Sequence, residues 1–189
     1  LRKAIDYFCH LAVSPEYHDE IEENDTEFAK SEFWPKIEWL KNEKEDLYDP
    51  EYKDVLRVAF IHKFNRGKFS DLVNLLSGRN FETRTFEERI AEESYQKLTE
   101  GVKDFINETN FKRFMMIVRS AGFIHHRMIQ SYNALNFAYA VYLKMVEQGY
   151  QPGLIEQYVK KWLVLSLMTQ RYTRSPETQI NEDIRNIEA

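Results

Sequence analysis

WLVLSLMTQRYTRSPETQINEDIRNI, residues 162–187, is the stretch whose reading sets the fold. Leu163, Leu165, Leu167 and Met168 make its first half apolar nearly all round, the pattern of a helix buried on most sides, so it is predicted to cross the core. Ser175, Pro176 and Glu177 then read as an N-cap, a proline at the first helical position and an acid in the first turn, and a second helix should start there. Between the two lie Arg171, Tyr172, Thr173 and Arg174. Two guanidinium groups thus stand beside a helix N-terminus whose unpaired N–H groups and dipole favour an anion. The junction suits a phosphate or, as is commoner for interfacial arginines, carboxylates of the same chain.

Composition points the same way. At 189 residues the chain is long enough for one domain with a substantial core. Only six Gly and five Pro are present, too few turn residues for a many-stranded protein. The expectation is an all-α single domain of about eight to ten helices, with an acidic N-terminal helical segment (residues 1–47) packed on a helical core domain (residues 48–189). The single cysteine, Cys9, permits no internal disulfide and suggests the cytoplasm. No run of 18 apolar residues, signal peptide or initiating Met is present, so the expected molecule is soluble, has no membrane partner and is a piece of a longer protein. Residues 1–54 carry 7 Lys/Arg against 16 Asp/Glu, and residues 55–189 carry 19 against 15. The acidic front disfavours nucleic acid, and the remainder is too weakly basic to bind it by charge alone, so any DNA contact must be local.

Along the chain, Leu1, Ile5, Phe8 and Ala12 recur at helical spacing, residues 18–27 form an acidic solvated run, and Phe33, Trp34, Ile37 and Leu40 share one face of a helix with Pro35 in its first turn. Asp49, Pro50 and Glu51 open a helix bearing Val55, Val58, Ala59 and His62, the last read as a core-edge histidine. Ser70 is placed to cap the next helix, which stops at Gly78. In SGRNFETR, residues 77–84, Arg79, Asn80, Glu82 and Arg84 surround one Phe in an exposed loop that could bind an anion or lock helices through Arg–carboxylate pairs; Glu82 lies close enough to both arginines to favour the lock. A long helix follows from Phe86 to about Glu108, tolerating Gly101 at a cost of about 1 kcal/mol. Asn110 restarts the chain into a stripe of Phe111, Phe114, Met115 and Val118, and Gly122 ends it. His125 and His126 are adjacent, the wrong spacing for a metal on one helical face. Residues 128–147 read as the longest helix, in which Ser131, Asn133 and Asn136 interrupt an apolar segment and need partners, with the arginine loops as candidates.

Three of these motifs, SGRNFETR, NALNFAY (residues 133–139) and WLVLSLMTQRYTRSPE (residues 162–177), resemble in order the helical portion of the GmrSD-like restriction family. RYTRSPE is similar to that family's RYSGSPE pattern, with Thr173 and Arg174 in place of Ser-Gly. The resemblance spans about residues 48–187. It implies a bacterial phage-defence protein with an N-terminal ParB-like nucleotide-using domain and, often, a C-terminal HNH-type nuclease. No DGQQR-type or His-rich nuclease motif occurs in this chain, so a non-catalytic helical section is implied. It would position nucleotide or DNA and couple flanking domains, while a nucleotide triphosphate and a divalent metal serve the parent protein and no cofactor binds this chain. Partners would be those domains, DNA and a second copy in a homo-oligomer. The competing expectation is a helical interaction or scaffolding module without nucleic-acid contact. Either way, Arg79, Asn80, Glu82, Arg84, Ser131, Asn133, Asn136, Arg171, Tyr172, Arg174, Ser175 and Glu177 are expected to converge on one partly buried polar patch.

Overall fold

A computed structural model describes residues 47–188. The helices expected within residues 1–46, Cys9 and the acidic run all lie outside the described residues. The described residues form seven α-helices and no strand: α1 (Tyr52–Phe64), α2 (Phe69–Leu76), α3 (Glu88–Phe105), α4 (Glu108–Ser120), α5 (Tyr132–Glu147), α6 (Pro152–Met168) and α7 (Pro176–Glu188). The all-α class holds, with fewer helices described than the eight to ten expected. A short 3-10 turn, His126–Met128, interrupts the segment between α4 and α5.

At the centre stands α5, in which Ala134, Leu135, Asn136, Phe137, Ala138, Tyr139 and Ala140 are buried in succession. Alternating alanine with aromatic residues lets neighbouring helices approach closely on several sides, and α5 packs against both α1 and α6. The Tyr139 ring stacks on Phe114 at 4.6 Å and meets Phe105 edge-on at 5.0 Å, joining α4 and α3 to the same core. Phe60 of α1 and Leu72 and Leu76 of α2 make a smaller cluster, with α2 packed against α3. Tyr48 packs against both Phe111 near the start of α4 and Tyr132 at the start of α5. The two helices therefore begin at the same end of the bundle.

Several boundaries differ from expectation for local reasons. Glu51 and Asp54 close a reciprocal capping box at the start of α1, each accepting the other's backbone N–H. Ser70 lies inside α2, one residue after its first, and Lys68 takes the N-cap position without a side-chain bond. Asn107, not Asn110, caps α4, its side chain accepting from the Asn110 N–H. With 18 residues α3 exceeds the 16 of α5, because the segment at Met128 is consumed by the 3-10 turn. The largest correction concerns α6. Its Ile155, Val159, Leu163 and Leu167 are buried, but Leu165 is 51% and Met168 77% exposed, so this helix lies on the surface of the bundle with a second apolar face outward.

Gly101 has a packing role that propensity conceals. A Cβ there would stand 2.9 Å from the Ala59 carbonyl oxygen and 3.0 Å from the Ala59 Cβ, so α1 and α3 cross in contact through it. Gly101→Ala should gain about 1 kcal/mol in helix propensity. It should nonetheless destabilise the fold by roughly 1–3 kcal/mol, since the obstructing atom is backbone. A lowered Tm is expected; an unchanged or raised Tm would mean that the crossing gives way freely.

Candidate functional site

The turn between α6 and α7 is built by a Schellman closure. The N–H of Gln170 donates to the Leu167 carbonyl and that of Arg171 to the Ser166 carbonyl, with Gln170 left-handed at φ 52°. This aims the next two side chains at α7. Arg171 Nε lies 2.9 and 3.1 Å from the two oxygens of Asp183, and its Nη2 donates to Oδ1 as well. The Tyr172 hydroxyl donates to Asp183 Oδ2 at 2.7 Å and accepts from Trp162 Nε1 at 3.3 Å. Burial, reinforced by the bond to Asp183, pushes the Tyr172 phenol far above its usual range, and the bond to Asp183 likewise raises the Arg171 pKa. Asp183 is thus the buried acceptor of a guanidinium and a phenol together.

Glu177 serves a different contact. It stands 3.7 Å from Arg57 and faces the Phe69 N–H at 3.5 Å, while Asn181 Oδ1 accepts from the Gly67 N–H at 2.7 Å. A Cβ on Gly67 would collide with Ile180, so α7 seats directly on the α1–α2 turn. Ser175 accepts the Gln179 N–H through its carbonyl, as an N-cap residue does, whereas Arg174 is exposed and forms no bond among the described residues.

Asn136 is enclosed by a second network. The Tyr48 hydroxyl donates to its Oδ1 at 2.5 Å, and its Nδ2 donates to Asp54 Oδ1 at 2.7 Å. The other Asp54 oxygen accepts the Glu51 N–H of the capping box. Burial, with the Asp54 charge second, holds the Tyr48 phenol well above its usual range. Asn133 is only half-buried and Ser131 occupies the N-cap position of α5 without a capping bond, so only Asn136 of the three needed and found buried partners.

The loop at 79–84 closes on itself. Asn80 Oδ1 accepts the N–H groups of Glu82 and Thr83, its Nδ2 donates to Glu87, and its backbone bonds Thr85 and Arg84. Arg79 reaches Asn74 at 3.3 Å, and Arg66 covers the Phe81 ring at 4.5 Å. The expected lock through Glu82 is absent among the described residues. An Asx turn satisfies the backbone directly, whereas an exposed ion pair with Glu82 would gain little against water. Arg84, left-handed at φ 62°, points outward with no ion pair among the described residues.

No hydrogen bond or ion pair among the described residues joins the three motifs, which form three separate polar networks. Two of them meet through rings instead: Phe137, beside Asn136, packs on Tyr172 at 5.5 Å and Trp162 at 5.6 Å. Expected convergence on a polar patch is replaced by an aromatic seam, because Asn80, Asn136, Arg171, Tyr172 and Glu177 found nearer partners in their own segment or on α1 and α7.

Sequence reading did not single out Asp183, Asp54, Tyr48, or a fourth cluster at the α1–α3–α5 junction. There His62, 2% exposed, places Nε2 3.0 Å from Asp104, leaving its Nδ1 unpartnered. Lys63 bridges Asp104 and Glu147 at 2.8 Å each. Burial opposes ionisation of Asp104, yet the hydrogen bonds from His62 and Lys63 carry its pKa below the ordinary carboxylate range. Only the i, i+1 pair His62–Lys63 on a helix edge signalled this cluster. Among the described residues no group of three or more His, Cys, Asp or Glu side chains is arranged to hold a metal ion. Comparisons with known protein families, with curated proteins and with solved structures give no match.

Arg171→Ala leaves the Asp183 carboxylate buried without its charge partner and should lower stability by about 1–3 kcal/mol, read as a fall in Tm. Arg171→Lys should recover only part, because one ammonium cannot span both oxygens. At Asp104 folding lowers the pKa, so its contribution is complete above the unfolded carboxylate's titration and is lost as pH falls through the folded value, below about pH 4. Asp104→Asn should therefore lower Tm at pH 7, and the gap to the unsubstituted protein should shrink as pH approaches 3.

Proposed function

We propose that this chain is a non-catalytic helical domain of a DNA-targeting restriction or phage-defence protein of the GmrSD-like kind, coupling flanking catalytic domains and helping to position nucleotide or DNA. One observation carries the reading: the residues that bear the resemblance are consumed in tying helices together. Arg171 and Tyr172 hold α7 through Asp183, and Asn136 holds α1. A section that transmits position between neighbouring domains needs such internal stiffness, and needs few reactive groups of its own. Phosphate contact then falls to the exposed Arg84 and Arg174, not to Arg171. The missing RYSGSPE glycine supports this division, since Arg174 adds a charge beside the first turn of α7.

A second reading, a scaffolding module without nucleic-acid contact, is favoured by the outward stripe of Leu154, Tyr158, Leu165 and Met168 on α6. These residues recur at helical spacing and form an apolar band opposite the buried one.

Purified chain should neither cleave DNA nor hydrolyse nucleotide triphosphates. In a protein that also carries the flanking domains, Arg84→Ala and Arg174→Ala should weaken DNA or nucleotide binding with Tm unchanged, whereas Arg171→Ala lowers Tm. Turnover by the chain alone would overturn the proposal. Loss of partner association on Leu165→Asp, with DNA binding intact in all three arginine variants, would establish the scaffold instead.

A further inference from the structure

We propose that the outward face of α6 is one half of a two-helix seam, whose other half is an amphipathic helix of a partner protein with a carboxylate at its centre. This deepens the scaffold reading and rests on the apolar band that favours it. On the inner side Ile155, Val159, Leu163 and Leu167 are buried, where α6 packs on α5 and α4. On the outer side Leu154, Tyr158, Lys161, Leu165 and Met168 are all exposed and follow one another at spacings of 4, 3, 4 and 3 residues. Such alternation marks the a and d positions of a heptad repeat, which keeps a narrow stripe facing one partner helix. Because the five belong to one continuous helix, they lie along a single line of about 21 Å. Four of the five are large apolar side chains left open to solvent among the described residues.

The fifth residue specifies the partner. Lys161 stands in the middle of the line, exposed and with no ion pair among the described residues. The only acid of α6, Glu156, is turned to Ser120 of α4 at 3.3 Å. A helix laid along the seam must therefore bring a carboxylate to Lys161, because covering an unpaired ammonium is costly. A second copy of this chain does not supply one. In a parallel pair the two Lys161 side chains would face each other. In either antiparallel register that aligns the apolar positions, they would lie within about 6 Å along the helix axis. Two heptads also fall short of the three or four that sustain a coiled coil by themselves, so the partner helix is one already held folded by its own protein.

The probe is a stapled two-heptad helical peptide with Leu at its a and d positions and Glu at the central one; its counterpart carries Lys there. The whole chain should bind the Glu peptide at least roughly tenfold more tightly than the Lys peptide, and Lys161→Glu should invert that order. Leu165→Asp should weaken both, whereas Met116→Asp, at an exposed position of α4, should change neither. Equal binding of the two peptides, or no inversion, overturns the inference. The scaffold reading then still stands if Leu165→Asp abolishes partner association, and falls as well if that variant has no effect. Dimerisation of the unsubstituted chain that Leu165→Asp abolishes would put a second copy on the seam instead. With Cys9→Ser, Tyr158→Cys should be alkylated freely in the monomer and protected by the Glu peptide; protection in the monomer alone would mean that the chain covers its own seam, and would equally overturn the inference.

Discussion

Asp54 is a carboxylate 3% exposed in the middle of a helical bundle, and its satisfaction organises the rest. An isolated buried carboxylate is too costly to survive, so each of its oxygens must be bonded. One oxygen closes the cap of α1, which sets where that helix begins. The other takes the amide of Asn136, which sets how α1 lies along α5. Tyr48 then completes the Asn136 amide and fixes the chain just before α1 against the starts of α4 and α5. Removing any of the three groups strands another in the core, so the register of the central helices is held by hydrogen-bond completeness as much as by apolar fit.

Charged clusters at the periphery work differently. Arg171 is partly exposed while its partner Asp183 is buried, so this bidentate pair has one wet side and tethers α7 without requiring a fully dehydrated arginine. The Lys63 bridge to Asp104 and Glu147 likewise sits at the rim where α1, α3 and α5 meet. The buried Asp54 is held by neutral donors, whereas the charge pairs sit where one partner reaches solvent.

Helical class was legible because apolar residues recur at helical spacing through almost every segment, and Gly78, Gly122 and Gly149 do mark left-handed turns after helices. The α6–α7 turn was legible as a junction, and its paired arginine was the favoured of two readings. Its acceptor was not, because Asp183 sits among polar residues on an amphipathic helix, and no local signal separates a buried acid from its exposed neighbours there. The left-handed Gln170 was equally hidden, since that conformation usually advertises itself through Gly or Asn. The outward face of α6 misled for a sharper reason: apolar periodicity reports that a surface avoids water, without saying whether this domain or another partner covers it. The 79–84 loop failed through range, for its charged residues looked complementary while Asn80 had already closed the turn.

The partners that hold α1 are remote in sequence: Asn136 lies 82 residues after Asp54, and Asn181 lies 114 after Gly67. A helical protein is usually assembled from near neighbours and folds quickly, but here the first described helix cannot complete its polar network until the fifth exists. On a ribosome adding about 5–20 residues per second, Asp54 waits some 4–16 s for its amide. Among the described helices, α1 has chiefly α3 to pack against during that interval, so the α1–α3 portion of the chain is the part most exposed to misassociation while it is being made.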